Sequence, residues 1–159
     1  MSDSWRSLPA PARAVAVAAS SVVAAARARD NDLFAEAVGD LAVLDPERVS
    51  LVLGAAVRLL LEDLHPDGLD GDDVRDALER TVRAAGQWQP EVDPHVVLIV
   101  LAGALGVHDR DEEAAPPSAE SLARHAALLL AELLGERGRP FADYLTRAFA
   151  EIERAQLND

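Results

Sequence analysis

The sequence has no cysteine, which excludes disulfides, thiolate metal sites and a cysteine nucleophile. It has no lysine either: all 15 basic residues are Arg, against 28 Asp and Glu, for a net charge of −13. Nucleic-acid binding depends on basic side chains that neutralise phosphate, so this balance excludes a chain whose main work is holding DNA or RNA. Asn and Ile are scarce while Ala, Asp, Val and Leu abound, which reads as the codon bias of a GC-rich genome before it reads as function. Long apolar runs are missing as well. The most apolar stretch, Val96 to Val107, holds roughly a dozen uninterrupted uncharged residues, where a membrane span needs about 20. Ala14 to Ala26 follows Arg6 and Arg13 but contains no Leu, Ile or Phe, so it reads as a first amphipathic helix and not as a signal peptide. The expectation is a cytoplasmic protein that engages neither membrane nor nucleic acid.

What is present is helical periodicity. The 159 residues make one domain by length, large enough to bury about two thirds of its unfolded surface. Residues 1–8 are expected to fray, and Pro9 and Pro11 delay the first helix to about Ala12. Leu44, Asp45 and Pro46 supply a hydrophobic N′ residue, an N-cap and a proline at N1, with Val49 completing a staple. Val49, Val52, Leu53, Ala56, Val57, Leu60, Leu61 and Leu64 then follow the i, i+3, i+4 rule. Asp70 starts another helix, with Val74, Leu78, Val82 and Ala85 as its buried line and Gly86 at its end. Ser118 caps a helix that Gly135 closes. A last helix begins near Pro140, with Asp143, Arg147 and Glu151 spaced for pairing along its outer face.

The pattern predicts an all-α fold of about seven helices, with antiparallel hairpins packed around a buried central helix at residues 94–107. That segment is apolar on every side, and such a helix has to be surrounded by protein. Residues 9–157 form the single helical domain. A shift of 48 residues lays Asp45 and Pro46 on Asp93 and Pro94, and Asp70 on Ser118, suggesting two related hairpins at 44–86 and 92–134. Stacked in the same direction, they would bring the loops around Asp67 and Asp111 to one end and the Trp88 corner to the other.

Chemistry has few places to reside. At the acidic end, His65 and Asp67 from one loop and His108 and Asp111 from the other compose a candidate metal site, since imidazole with carboxylate suits a borderline divalent ion. No metal motif supports it: His-Glu-x-x-His is absent, and Leu69 and Gly71 occupy ligand positions of what would be a calcium loop. The ordinary reading is that the aspartates serve a helix N-terminus. Ser121 and His125 share a helix face, the minimum for nucleophilic catalysis, but His125 lies on the inward line between Leu122 and Leu129. Gly54, Gly103 and Gly106 each cost about 1 kcal/mol relative to Ala inside a helix. Either a neighbouring helix comes close, or there is room for an apolar ligand beside residues such as Val100, Leu101, Leu105, Leu60 and Phe149. Trp88 stands in a Gln- and Pro-containing corner; it either folds back onto the core or, if exposed, anchors a partner.

The functional expectation is a non-enzymatic interaction or regulatory module that engages a protein partner or its own copy. The alternatives are a metal-binding protein or metal-dependent hydrolase at the acidic edge, and a sensor of a small apolar molecule. No catalytic residue and no cofactor are predicted, a divalent metal entering only under the first alternative.

Overall fold

A computed structural model describes residues 7–107, 115–135 and 139–157. It contains α1 (Ala10–Ala28), α2 (Asn31–Ala42), α3 (Pro46–Leu64), α4 (Gly71–Gly86), α5 (Pro94–Ala104), α6 (Ala119–Gly135) and α7 (Phe141–Leu157). The described residues form no strand, so the all-α expectation of seven helices holds. The frayed segment expected at the N-terminus falls largely outside the described residues.

The sequence signals explain most boundaries. α1 begins at Ala10, two residues earlier than expected, because Pro11 is tolerated in the first turn, where its missing N–H has no helical acceptor. In the run Asp30, Asn31 and Asp32 it is Asp30 that caps α2, its carboxylate accepting from the Leu33 N–H at 3.1 Å. Asp45 and Asp93 cap α3 and α5 from the same place, each accepting from the second residue after it. At α4 the Asp70 carboxylate accepts from the Asp73 N–H while the Asp73 carboxylate accepts from the Asp70 N–H, both at 3.0 Å. That reciprocal pair is a capping box. α3 and α5 begin at Pro46 and Pro94, and α4 and α6 at Gly71 and Ala119, so both starts recur at the same spacing. α4 nevertheless packs on α5 and α6 and does not fold back along α3.

α5 ends three residues before the apolar run does. Gly106 takes a φ of +76°, its N–H bonds the Gly103 carbonyl, and the Val107 N–H bonds the Ala102 carbonyl at 2.9 Å. This Schellman closure needs a left-handed residue, which glycine supplies without strain.

The place of residues 94–107 differs from expectation. α5 buries only Val96, Val97 and Leu101, and Leu98 is 41% and Val107 61% exposed. The axis is α6, which packs against α1, α2, α3, α4 and α5. Residues 125–130 of α6 are all buried, so every side of the helix is covered there. Its alanines explain why: Ala123, Ala126 and Ala127 let neighbours approach closely while Leu129, Leu130, Leu133 and Leu134 fill the space beyond. Uniform hydrophobicity in α5 carries no information about which helix the others surround, because apolar residues also occur on surfaces.

One buried line and one set of charge pairs also shift. In α4 the fully buried residues are Ala77, Thr81 and Ala85, with Val74, Leu78 and Val82 half-buried beside them. In α7 the charges pair across helices and not along their own: Arg147 bonds Asp63 of α3 at 3.1 Å, and Glu151 pairs with Arg58 of α3. Tyr144, fully buried, donates its hydroxyl to the same Asp63 carboxylate at 3.0 Å. Burial pushes the Asp63 carboxyl up, but the bonds from Arg147 and Tyr144 outweigh it and hold the group below the usual carboxylate range. α7 is thereby tied to α3 by polar contacts over an apolar seam.

Candidate functional site

Of the candidate metal ligands, His65 ends α3 as its C-cap residue and Asp67 is exposed in the turn that follows. His65 Nδ1 lies 3.5 Å from the carboxylate of Asp73, the capping-box partner, so the imidazole is drawn to α4 and not to Asp67. The Asp73 backbone N–H, ahead of every other influence, holds the Asp70 carboxyl below its ordinary range. That is the electrostatics of a helix start. His108 and Asp111 lie outside the described residues. Among the described residues no three His, Asp or Glu side chains converge as metal ligands.

The Ser121–His125 pair is built for holding. Nε2 of His125 accepts from the Asp93 N–H at 3.0 Å, which leaves the proton on Nδ1, and Nδ1 donates to the Ser121 carbonyl at 2.7 Å. Ser121 Oγ is 3.5 Å from Nδ1, the protonated nitrogen, so the ring has no lone pair with which to take the hydroxyl's proton. The ring is 3% exposed. Burial lowers its pKa, and Arg124 adds to that, against the Ser121 bond and the Asp93 charge, which raise it. A neutral, doubly bonded histidine joins the start of α5 to α6.

Trp88 is half-buried and meets the fully buried Phe34 ring edge to face, with centroids 5.1 Å apart and planes at 64°. The corner is fastened to the α1–α2 junction by Arg29 donating to Gln87 Oε1 at 2.7 Å and Gln89 donating to Asn31 Oδ1 at 2.6 Å. The Trp88 side chain therefore closes the end of the core with part of its surface exposed.

An apolar cleft lies beside the glycines. A cleft of about 230 Å³ opens between α3, α5 and α6, floored by the end of α2. Its walls include Val49, Leu53, Ile99, Val100, Leu122 and Ala126, and among the described residues Ser50 contributes the one polar side chain. Gly54 and Gly103 both line it. A Cβ on Gly54 would lie 3.9 Å from the Ala104 Cα, an ordinary contact, and a Cβ on Gly103 would meet nothing within 4 Å. Neither glycine is there because a neighbouring backbone leaves no room for a side chain.

Of the pocket residues expected from sequence, only Val100 lines this cleft. Leu60 and Leu101 are fully buried in the core, Leu105 packs against it, and Phe149 lines a different groove against the N-terminal segment. The signal that located the cleft was the paired helix-interior glycines; the aliphatic stripe was core. No helix among the described residues is long and apolar enough to cross a membrane. No known protein family, curated protein or solved structure matches the chain.

Proposed function

We propose that this chain is a non-enzymatic binding module that holds a small, neutral, apolar molecule in the cleft between α3, α5 and α6. The observation that carries the reading is the cleft itself: about 230 Å³, apolar apart from Ser50, beside two glycines that leave it unfilled. A cavity of about 150 Å³ lined by aliphatic and aromatic side chains is already enough to hold a benzene-sized molecule, so one ring or a short chain fits here. With one hydroxyl in the wall, the ligand carries at most one polar atom to be matched. The chain's net charge of −13 disfavours an anionic head group. α5 supports the same reading, because a helix apolar on all sides and only partly covered gains by meeting an apolar surface.

The test is a melting series with toluene and 1-octanol, since a molecule that binds only the folded state raises Tm with its concentration. Gly103→Leu puts its Cβ into open space and should abolish the shift while the protein stays folded. No shift with either compound, or an equal shift in Gly103→Leu, overturns the reading.

The exposure of Leu98 and Val107 favours a second reading, association of α5 with a second copy. Light scattering across a concentration series should then show a dimer that Leu98→Glu dissolves. A strict monomer at all concentrations removes it.

A further inference from the structure

One wall of the apolar cleft is held less firmly than the others. α5 buries only Val96, Val97 and Leu101, whereas α3 buries a stripe running from Val49 to Leu61 and α6 is covered on every side over residues 125–130. Segments with few buried apolar contacts open at the lowest free energy. Yet α5 supplies Ile99, Val100, Gly103 and Ala104 to the cleft, so the shape of the site depends on how this helix is fastened.

The fastening at the head of α5 is a group that can change its charge. The N–H of Asp93, the N-cap residue, donates to Nε2 of His125 at 3.0 Å, while Nδ1 of the same ring donates to the Ser121 carbonyl at 2.7 Å. A neutral imidazole has one acceptor nitrogen, and this bond uses it; an imidazolium has two donors and no acceptor. Protonation therefore turns two N–H groups toward each other in a place where the ring is 3% exposed. α6 carries both the ring and the facing wall, since Leu122 and Ala126, on either side of His125 in sequence, line the cleft.

The charged groups acting on the ring come from two elements. Asp93, at the start of α5, favours the proton, and Arg124 of α6, itself paired with Glu120 at 2.8 Å, opposes it. Among the described residues α1, α2, α3 and α4 bring no charge to bear on it. A second imidazole at the head of α5, His95, is exposed. Burial, ahead of these charges, keeps the His125 pKa below its ordinary value, so the ring is neutral at neutral pH and charges in mildly acidic solution.

We infer that protonation of His125 expels the apolar ligand from the cleft by unfastening the head of α5 from α6. The inference rests on the reading of the cleft as an apolar binding site and supplies its control. The coupling is reciprocal: a ligand that prefers the neutral ring also makes the ring harder to protonate. 1-Octanol carries no titrating group, so any pH dependence of its binding belongs to the protein.

The test measures 1-octanol affinity of the full chain by calorimetry across a pH series that spans the His125 titration, and follows that titration by ring-proton NMR with and without saturating 1-octanol. Affinity should fall about tenfold as the ring charges, the scale of an ordinary coupling between two sites. The ring should titrate about one pH unit lower with the cleft filled, the same factor read from the proton's side. His125→Gln, whose amide oxygen accepts the Asp93 N–H without titrating, should bind 1-octanol at neutral pH as the wild-type chain does and lose the pH dependence, while His95→Gln should keep it. The paired wild-type titrations need no variant and decide the matter if His125→Gln does not fold. Equal affinity on both sides of the His125 titration, a ring that titrates alike with and without 1-octanol, or a pH dependence that survives His125→Gln would each overturn the inference and leave the cleft as a site. No binding at neutral pH would overturn the cleft reading and this inference together.

Discussion

His125 Nε2 accepts the backbone N–H of Asp93 at 3.0 Å, so a buried imidazole of α6 holds the residue that caps α5. Protonating Nε2 would turn two donors toward each other and release that capping residue. Because burial lowers the folded pKa of His125 below the ordinary value of about 6.5, the unfolded chain takes up the proton first. The contribution of this bond is therefore complete above about pH 6.5 and is lost as pH falls from there through the depressed folded value. Urea denaturation at a series of pH values from neutral to mildly acidic should show stability declining in that window. His125→Gln, which offers an acceptor that does not titrate, should remove that part of the slope, and His125→Ala should cost about 2 kcal/mol by orphaning the Asp93 N–H. An unchanged slope in His125→Gln would contradict this account.

Asp63 makes a second pH prediction at lower pH. It receives Tyr144 at 3.0 Å and Arg147 at 3.1 Å, and its folded pKa is depressed. Its contribution is present above the unfolded carboxylate value of about 3.9 and is lost as pH falls through the lower folded value. Asp63→Asn should destabilise by about 1–2 kcal/mol, Tyr144→Phe by about 1 kcal/mol, and amide exchange should accelerate in α7 before it does in α6. Equal acceleration in both helices would show that α7 is not held separately by these bonds.

Gly103→Ala should raise stability by about 0.5–1 kcal/mol, the helix-interior difference between the two residues, because its Cβ meets nothing within 4 Å. For a chain of this length that is about 1–4 °C in Tm. A fall in Tm would mean that the space beside Gly103 closes in solution.

Trp88→Ala should destabilise by about 2–3 kcal/mol through loss of its packing on Phe34. Its effect on oligomeric state should be nil. A variant of normal Tm that loses self-association would make the corner a contact surface instead.

Legibility in the sequence followed the physics of each signal. Caps and prolines act locally, so Asp45, Asp70, Asp93 and Ser118 could be read as helix starts and each makes a capping bond. Which helix becomes the axis is a tertiary matter. α5 had the higher hydropathy, but α6 had the alanines that let five neighbours approach. Arg147 and Glu151 illustrate the same limit, since their spacing permitted pairing along α7 while the acceptors and donors of α3 lay closer. The histidine at 125 was legible as half-hidden on an inward line; its bond to Asp93 was not, because the partner is a backbone group distant in sequence. Gly54 and Gly103 were legible as an unexplained cost, and only packing could show that both face one space. The acidic edge could be read as helix-start chemistry at Asp70 and Asp73, and that is the role those two residues take.

Isoleucine is so scarce that labelling its δ1 methyl marks just two positions, Ile99 and Ile152. Ile99 lines the apolar cleft, whereas Ile152, on α7, lines the separate groove against the N-terminal segment. A methyl-resolved NMR titration with 1-octanol therefore reports on the central claim directly, with its own internal control. Binding in the cleft predicts a saturable shift of the Ile99 signal with Ile152 unmoved, and loss of that shift in Gly103→Leu. An unmoved Ile99, or two signals that drift together without saturating, would contradict it.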